Sequence, residues 1–237
     1  MLYYPDMSRV LHLDDPEVCV RLNENRRARR FTLRLAGPGE GAVLTLPPGI
    51  PMTEVRMFLM RHRDWLVRAL EKQPQMIVVT DGTLLPVDGR PLRVRHLEGV
   101  RRAPAIEGDS LLVQGRTPVA PRVAAWLKER ARARMAPRVH DYASQVGRSV
   151  AGISLKDTRS RWGSCSTTRR INLSWRLALA PVEIQDYVAA HEVAHLVEMN
   201  HSDRYWAVLS RLMPEYEKHR RWLRTEGRGL HVYCFTV

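Results

Sequence analysis

Apolar and polar positions alternate in short bursts over the first fifty residues, as VCVRL (18–22), RRFTLRLAG (29–37) and GAVLTLPPG (41–49), with Asn, Gly and Pro between them. A period of two broken by turn residues predicts β-hairpins with one face of each strand against a core. The period then lengthens. In TEVRMFLMRHRDWLVRALEKQ (53–73), Val55, Phe58, Leu59, His62, Leu66 and Leu70 share one broad helical face, and Thr53 stands where an N-cap belongs.

Residues 76–115 return to strand-like segments, MIVVTDGTLLPVDGRPLRVRHLE and LLVQG, and the Asp-Gly pairs at 81–82 and 88–89 signal tight turns. A small antiparallel sheet is expected there. From about Pro118 to Val146 the chain reads as one long arginine-studded helix, with Trp126, Leu127, Ala131 and Met135 at apolar positions and Pro137 as a place to kink. A further strand follows Ile153, then the run SRWGSCSTTRRINLSW (160–175), then three helical segments separated at Asn200–Ser202 and at Pro214. No internal repeat or low-complexity tract is visible. The order of elements predicts an α+β fold in two parts. Residues 1–116 form an N-terminal β-rich domain with a helix, and residues 117–237 form a C-terminal domain with a small sheet and most of the helix.

Composition narrows the class. With 44% hydrophobic and 27% charged residues over 237 positions, the chain can bury a core without a metal to hold it together. The opening MLYYPDMSRVLHLDDPEV lacks a basic segment followed by an apolar one, and nowhere do eighteen apolar residues run together, so a cytoplasmic protein with no membrane partner is expected. Cys19, Cys165 and Cys234 are odd in number and widely spaced, which predicts reduced thiols. The formal net charge of +13 is mostly arginine, clustered at RRARR (26–30), over 130–138 and over 159–170. Such a field attracts anionic substrates and, non-specifically, nucleic acid; exposed arginine also serves solubility and helix propensity.

The chemistry concentrates in HEVAHLVEMNH (191–201). Pro181 suits the first position of a helix and Glu183 its first turn, while Ile184, Val188, His191 and His195 recur at helical steps. The two imidazoles therefore stand one turn apart on one face and can both reach a single Zn²⁺ at about 2.0–2.1 Å. Glu192, rotated off that line, can hold a water rather than the metal and serve as general base. A catalytic zinc takes a third protein ligand and keeps one position open, and His201 is the nearest candidate. Asn200, tolerant of the left-handed conformation, would end the helix, and Ser202 with Asp203 would cap the next one. The spacing equals that of metzincins, HExxHxxGxxH, but Glu198 occupies the glycine position and Met213 lies too close for a Met-turn, which excludes that class.

Three stretches, SRWGSCS (160–166), INLSWRL (171–177) and HEVAHLVEMNHSDRYW (191–206), together resemble the YgjP-like metal-dependent hydrolases, relatives of the SprT-like and WLM proteases of the zincin superfamily. The resemblance extends more loosely into the N-terminal half, where strands precede the helix containing Trp65. It implies a zincin-like C-terminal domain with the HExxH helix against a small sheet, a metal held by His191, His195 and His201, and Glu192 as base. Family members usually carry Phe at the position of Tyr205. In zincins an extended substrate pairs with an edge strand beside the HExxH helix, and RRINLSW is the strand nominated here. Arg161, Ser164, Asn172 and Tyr205 are the candidate substrate-binding residues. Arg161 could meet an oxyanion, whereas Trp162 and Cys165 read better as core, and Cys165 as a fourth ligand would close the site.

A zinc-dependent metallopeptidase is the leading expectation. The same metal site directed at a phosphoanhydride, as in a nucleoside triphosphate pyrophosphatase, is the nearest alternative, supported by the arginines at 159–170 but by no phosphate-cradling glycine motif. A nucleic-acid-associated SprT-like protease is the third, with thin aromatic support.

Overall fold

A computed structural model describes residues 10–13, 18–37, 41–116 and 118–236. The rest of the opening segment, and Thr117 at the expected domain boundary, lie outside the described residues. The chain divides into two compact units, Met1–Met76 and Ile77–Val237.

In the first unit β1 (Val10–Leu13), β2 (Val18–Glu24), β3 (Thr32–Leu35) and β4 (Ala42–Leu46) form one sheet in the order β1-β2-β4-β3. The outer pairs are antiparallel, but β2 and β4 run parallel, so the expected succession of hairpins holds only in part. Val18, Val20 and Leu22 alternate onto the face that also buries Ala42, Leu44 and Leu46. Two helices cover that face, α1 (Met52–Arg61) and α2 (Arg63–Glu71), split at His62 where a single helix was expected. Val55, Leu59 and Leu66 complete a core of their own.

The second unit begins with β5 (Ile77–Val78) and a second four-stranded sheet of β6 (Leu84–Val87), β7 (Arg90–Leu97), β8 (Ala105–Glu107) and β9 (Ser110–Gln114). Its order is β6-β7-β9-β8, again antiparallel, parallel, antiparallel, which corrects the expectation of a purely antiparallel sheet. Asp88 (φ 49°) and Gly89 (φ 77°) make the two-residue turn between β6 and β7, as the Asp-Gly pair predicts. Next comes α3 (Val119–Gln145), unbroken through Pro137. Its Ala120, Val123, Leu127, Ala131, Met135, Val139 and Tyr142 recur at steps of three and four and are all buried.

The division expected at 116/117 is therefore not where the compact units part. Leu85, Leu92, Leu111 and Val113 of the sheet share one core with Leu127 and Val139 of α3 and with the segments beyond.

After α3 a three-stranded sheet forms in the order β10-β12-β11, from β10 (Gly152–Lys156), β11 (Gly163–Cys165) and β12 (Arg170–Ser174). A 3₁₀ turn over Trp175–Leu179 leads into α4 (Val182–Ala194), with Pro181 at its N-cap rather than its first turn. The helices α5 (Asp203–Leu212) and α6 (Tyr216–Thr225) follow, then β13 (Tyr233–Cys234), which pairs parallel with β5. Among the described residues no helix is long and apolar enough to cross a membrane.

Candidate metal centre

α4 is apolar on nearly every side: Ile184, Val188, Ala189, Ala190, Val193 and Ala194 are buried, as befits a helix enclosed by protein. α3 and α6 pack against it, and so does β11. Two ionic clamps hold its first half. Arg138 of α3 donates through Nε and Nη2 to Asp186 at 2.5 and 2.8 Å. Asp88, its side chain only 8% exposed, accepts from Arg130 (2.8 and 2.5 Å), Arg134 (3.3 Å) and Gln185 (2.9 Å). An alanine Cβ at Gly89 would stand 2.9 Å from Cα of Pro181, so only glycine lets this turn reach the start of α4.

Helical spacing brings His191 and His195 together at the end of α4, and the chain doubles back to add His201. Their ligand nitrogens all lie within 4.8 Å of one another, the only such His/Cys/Asp/Glu group among the described residues. Nε2 of His201 is 3.3 Å from Nε2 of His191. Two ligands of a tetrahedral Zn²⁺, each about 2.0–2.1 Å from it, are about 3.4 Å apart, so the observed separation fits that ion. The turn does not use Asn200 in a left-handed conformation: among the described residues only Asp88 and Arg169 are non-glycine positions with positive φ. Instead His195 Nδ1 donates to the carbonyl of Glu198 at 3.1 Å, which ties the turn to the helix end. Because a carbonyl can only accept, that bond leaves His195 Nε2 bare. Ser202 caps α5 as expected, accepting from the Tyr205 N–H at 3.4 Å.

Burial sets the electrostatics. It lowers His191 to about 3, with His195, His201 and Arg220 adding to the effect, and lowers His195 against the support of the Glu198 carbonyl. His191 and His195 are thus neutral at pH 7, as metal ligands must be. Glu192 is 3% exposed, and burial pushes its carboxyl up to about 8 against the pull of Arg161. Its Oε2 is buried with no hydrogen-bond partner. An orphaned, buried carboxyl oxygen on the helix that leads into three converging imidazoles is the arrangement a dication and an attacking water would complete.

The four candidate substrate-binding residues fare differently. Arg161 is exposed, and its charge is felt at Glu192. Ser164 and Asn172 sit opposite each other on β11 and β12, joined by a 3.1 Å hydrogen bond. The direction of a Cβ at Gly163, 2.3 Å from Glu192 Oε1, shows which face of β11 meets α4, and alternation puts Ser164 and Asn172 on the other. Tyr205 is fully buried behind the triad, with ring centroids 5.4, 4.5 and 4.6 Å from those of His191, His195 and His201. Its hydroxyl contacts His191 Nδ1 at 2.7 Å and the His191 carbonyl at 3.1 Å, and burial carries its ionisation far above the ordinary phenol range. Burial likewise pushes the Cys165 thiol up to about 11, with Glu192 adding, which suits the core role expected for it.

The edge strand also needs correcting. β12 is the centre of its sheet, paired on both sides, with Ile171 and Leu173 buried; β11 is the edge, and it lies against α4. Ser174 N donates to the Trp162 carbonyl and Ser166 N to that of Arg170, so by alternation the backbone N–H and C=O of Gly163 point away from β12 to the open edge. Trp162 anchors this segment, stacked on His231 at 4.8 Å and packed on Gly227. Two further residues border the triad: Trp206, the last residue of the stretch 191–206, 5.6 Å from the His201 ring and stacked on Tyr216, and Arg220, 4.6 Å over Trp206 and outside every motif of the sequence.

A HExxH helix on a small mixed sheet, with a third histidine returned to it, defines a zincin-like metallohydrolase domain. The family model of the YgjP-like metallopeptidase domain matches residues 29–226, and the chain belongs to that family. The match runs through both compact units. No curated protein matches the chain. Among solved structures, it is similar to the metallopeptidase zymogen of Pyrococcus abyssi abylysin, at 16% identity over 39% of this chain and 95% of that one, with a TM-score of 0.35. The zymogen of Methanocaldococcus jannaschii jannalysin is similar at 17% identity over the same shares, also with a TM-score of 0.35.

Proposed function

We propose that the protein is a zinc-dependent peptidase in which His191, His195 and His201 hold the metal and Glu192 is the general base. The observation that carries this reading is the buried, unpartnered Glu192 Oε2 on the helix whose end brings His191 and His195 together with His201. Zinc would supply Lewis acidity at the scissile carbonyl and acidify the attacking water. Glu192 then takes the proton of that water and delivers it to the leaving amine, and a carboxyl held near neutral pH by burial is suited to both transfers. The outward N–H and C=O of Gly163 would pair with an extended peptide as an added strand, which sets the scissile bond beside Glu192. The expected division of labour has residues 117–237 carrying this chemistry.

The positive charges of Arg161 and Arg220, felt at Glu192 and His191, favour a second reading, hydrolysis of a nucleoside triphosphate at the same centre. A screen of zinc-loaded protein against unfolded proteins, short peptides and nucleoside triphosphates separates the two, with Glu192→Gln as control. Peptide cleavage lost in the variant while zinc is retained supports the peptidase. Triphosphate cleavage alone supports the second reading, and full activity in Glu192→Gln sinks the role of Glu192 in either.

A further inference from the structure

We propose that Tyr205 is a positioning residue for the metal: its hydroxyl locks His191 in the Nδ1–H tautomer and so presents a bare Nε2 to the ion. The proposal rests on the assignment of His191, His195 and His201 as the ligand set.

The hydroxyl has two partners, and their chemistry fixes its orientation. The carbonyl of His191 lies 3.1 Å away and can only accept, so both contacts are hydrogen bonds only when the phenolic proton goes there. That carbonyl belongs to the last turn of α4, where a helix leaves its C=O groups without intrahelical partners. The phenolic oxygen is then an acceptor, 2.7 Å from Nδ1 of His191, and the ring must carry its proton on that nitrogen. Nε2 is left with its lone pair facing His201 Nε2, 3.3 Å away. The Glu198 carbonyl does the same for His195 through the backbone, at 3.1 Å. Both helix-borne ligands are thus held with Nε2 bare, one by main chain and one by a side chain that a substitution can remove.

Tyr205 is fully buried and contacts all three imidazole rings, so phenylalanine keeps the packing and deletes only the hydroxyl. The Tyr187 hydroxyl is 3.5 Å from the same Nδ1 and, among the described residues, is the group placed to take over. Partners that orient a metal-bound histidine typically change metal affinity by about 10–100-fold when removed.

The test uses full-length protein and zinc alone, titrated against a chromophoric chelator, for wild type, Tyr205→Phe and the double variant Tyr187→Phe/Tyr205→Phe. Imidazole ¹⁵N spectra of the metal-free proteins report the tautomer of His191 directly. The expected result is an affinity about tenfold weaker in Tyr205→Phe, with His191 moving from a single Nδ1–H form to a tautomer mixture. Affinity and tautomer unchanged in both variants overturn the proposal. A loss confined to the double variant also overturns it, since the role then belongs to Tyr187. Wild-type protein that binds no zinc refutes the ligand set itself, an outcome distinct from equal binding by wild type and Tyr205→Phe.

Discussion

The two four-stranded sheets share one wiring, antiparallel, parallel, antiparallel, and each is followed by helix, yet only the second shares a core with the helix that carries His191. The first closes a core with α1 and α2 and nothing else among its buried residues. The second pools its core with α3 and α4 and sends Asp88 to the start of α4, where Arg130, Arg134 and Gln185 converge on it. The same chain path serves as a self-contained module in one unit and as a foundation for chemistry in the other. What distinguishes them is a handful of side chains at one turn and a shared apolar face.

The largest expected effect separates the two cores. Leu44 and Leu111 are both fully buried, and either truncation to alanine removes about 2–5 kcal/mol of stability from its own unit. Leu111→Ala is expected to weaken zinc binding as well, and Leu44→Ala to leave it alone, as read by denaturant unfolding and chelator competition. Equal weakening by both would erase the distinction. Asp88→Asn comes next: it keeps an acceptor for Gln185 but removes the charge that Arg130 and Arg134 share. A loss of about 1–3 kcal/mol is expected, because the charge-assisted hydrogen bonds from Arg130 and Arg134 to the nearly buried Asp88 are weakened. Stability unchanged in this variant would mean the turn is merely adjacent to α4.

The smallest effect is one of slope with pH. Burial and Arg176 hold His231 at about 4, below the ordinary histidine value of about 6.5. The unfolded chain therefore binds that proton more readily than the folded one. Stability is full above about pH 6.5 and declines as pH falls towards 4. His191, lowered to about 3, acts in the same direction in metal-free protein. Among the described residues the histidines held low all belong to the second unit, while Glu192, raised to about 8, acts in the opposite direction down to the ordinary carboxyl value, so acid should loosen the second unit below about pH 4.5, as hydrogen exchange would show. Replacing His231 by phenylalanine keeps an aromatic ring on Trp162 and should flatten the acid slope; an unchanged slope would remove His231 from the account.

Much of this was legible in the chain, and the limits were physical. HEVAHLVEMNH announced its helix, its paired histidines and the return of the chain, because ligand spacing and capping act within a few residues. Asp88-Gly89 announced its turn for the same reason. Strand partners were not legible: alternation says which face of β12 is buried but not that two neighbours cover its edges, so the open edge fell to β11 instead. The repeated sheet wiring was invisible because it is carried by pairing rather than by shared residues. Nor does sequence reveal that Tyr205 turns its hydroxyl to His191, a contact between separate helices. The strand that holds Gly163 was not predicted either, so the close approach of Glu192 that its missing side chain permits was not legible.

X-ray absorption at the zinc edge of the loaded protein reads the proposed open three-histidine site itself. The expected spectrum shows one zinc per chain with three imidazole nitrogens at about 2.0–2.1 Å, a light-atom neighbour completing the shell, and loss of a nitrogen in His201→Ala. A sulfur scatterer at about 2.3 Å, which would bring Cys165 into a closed site, or an unchanged spectrum in His201→Ala, would contradict it.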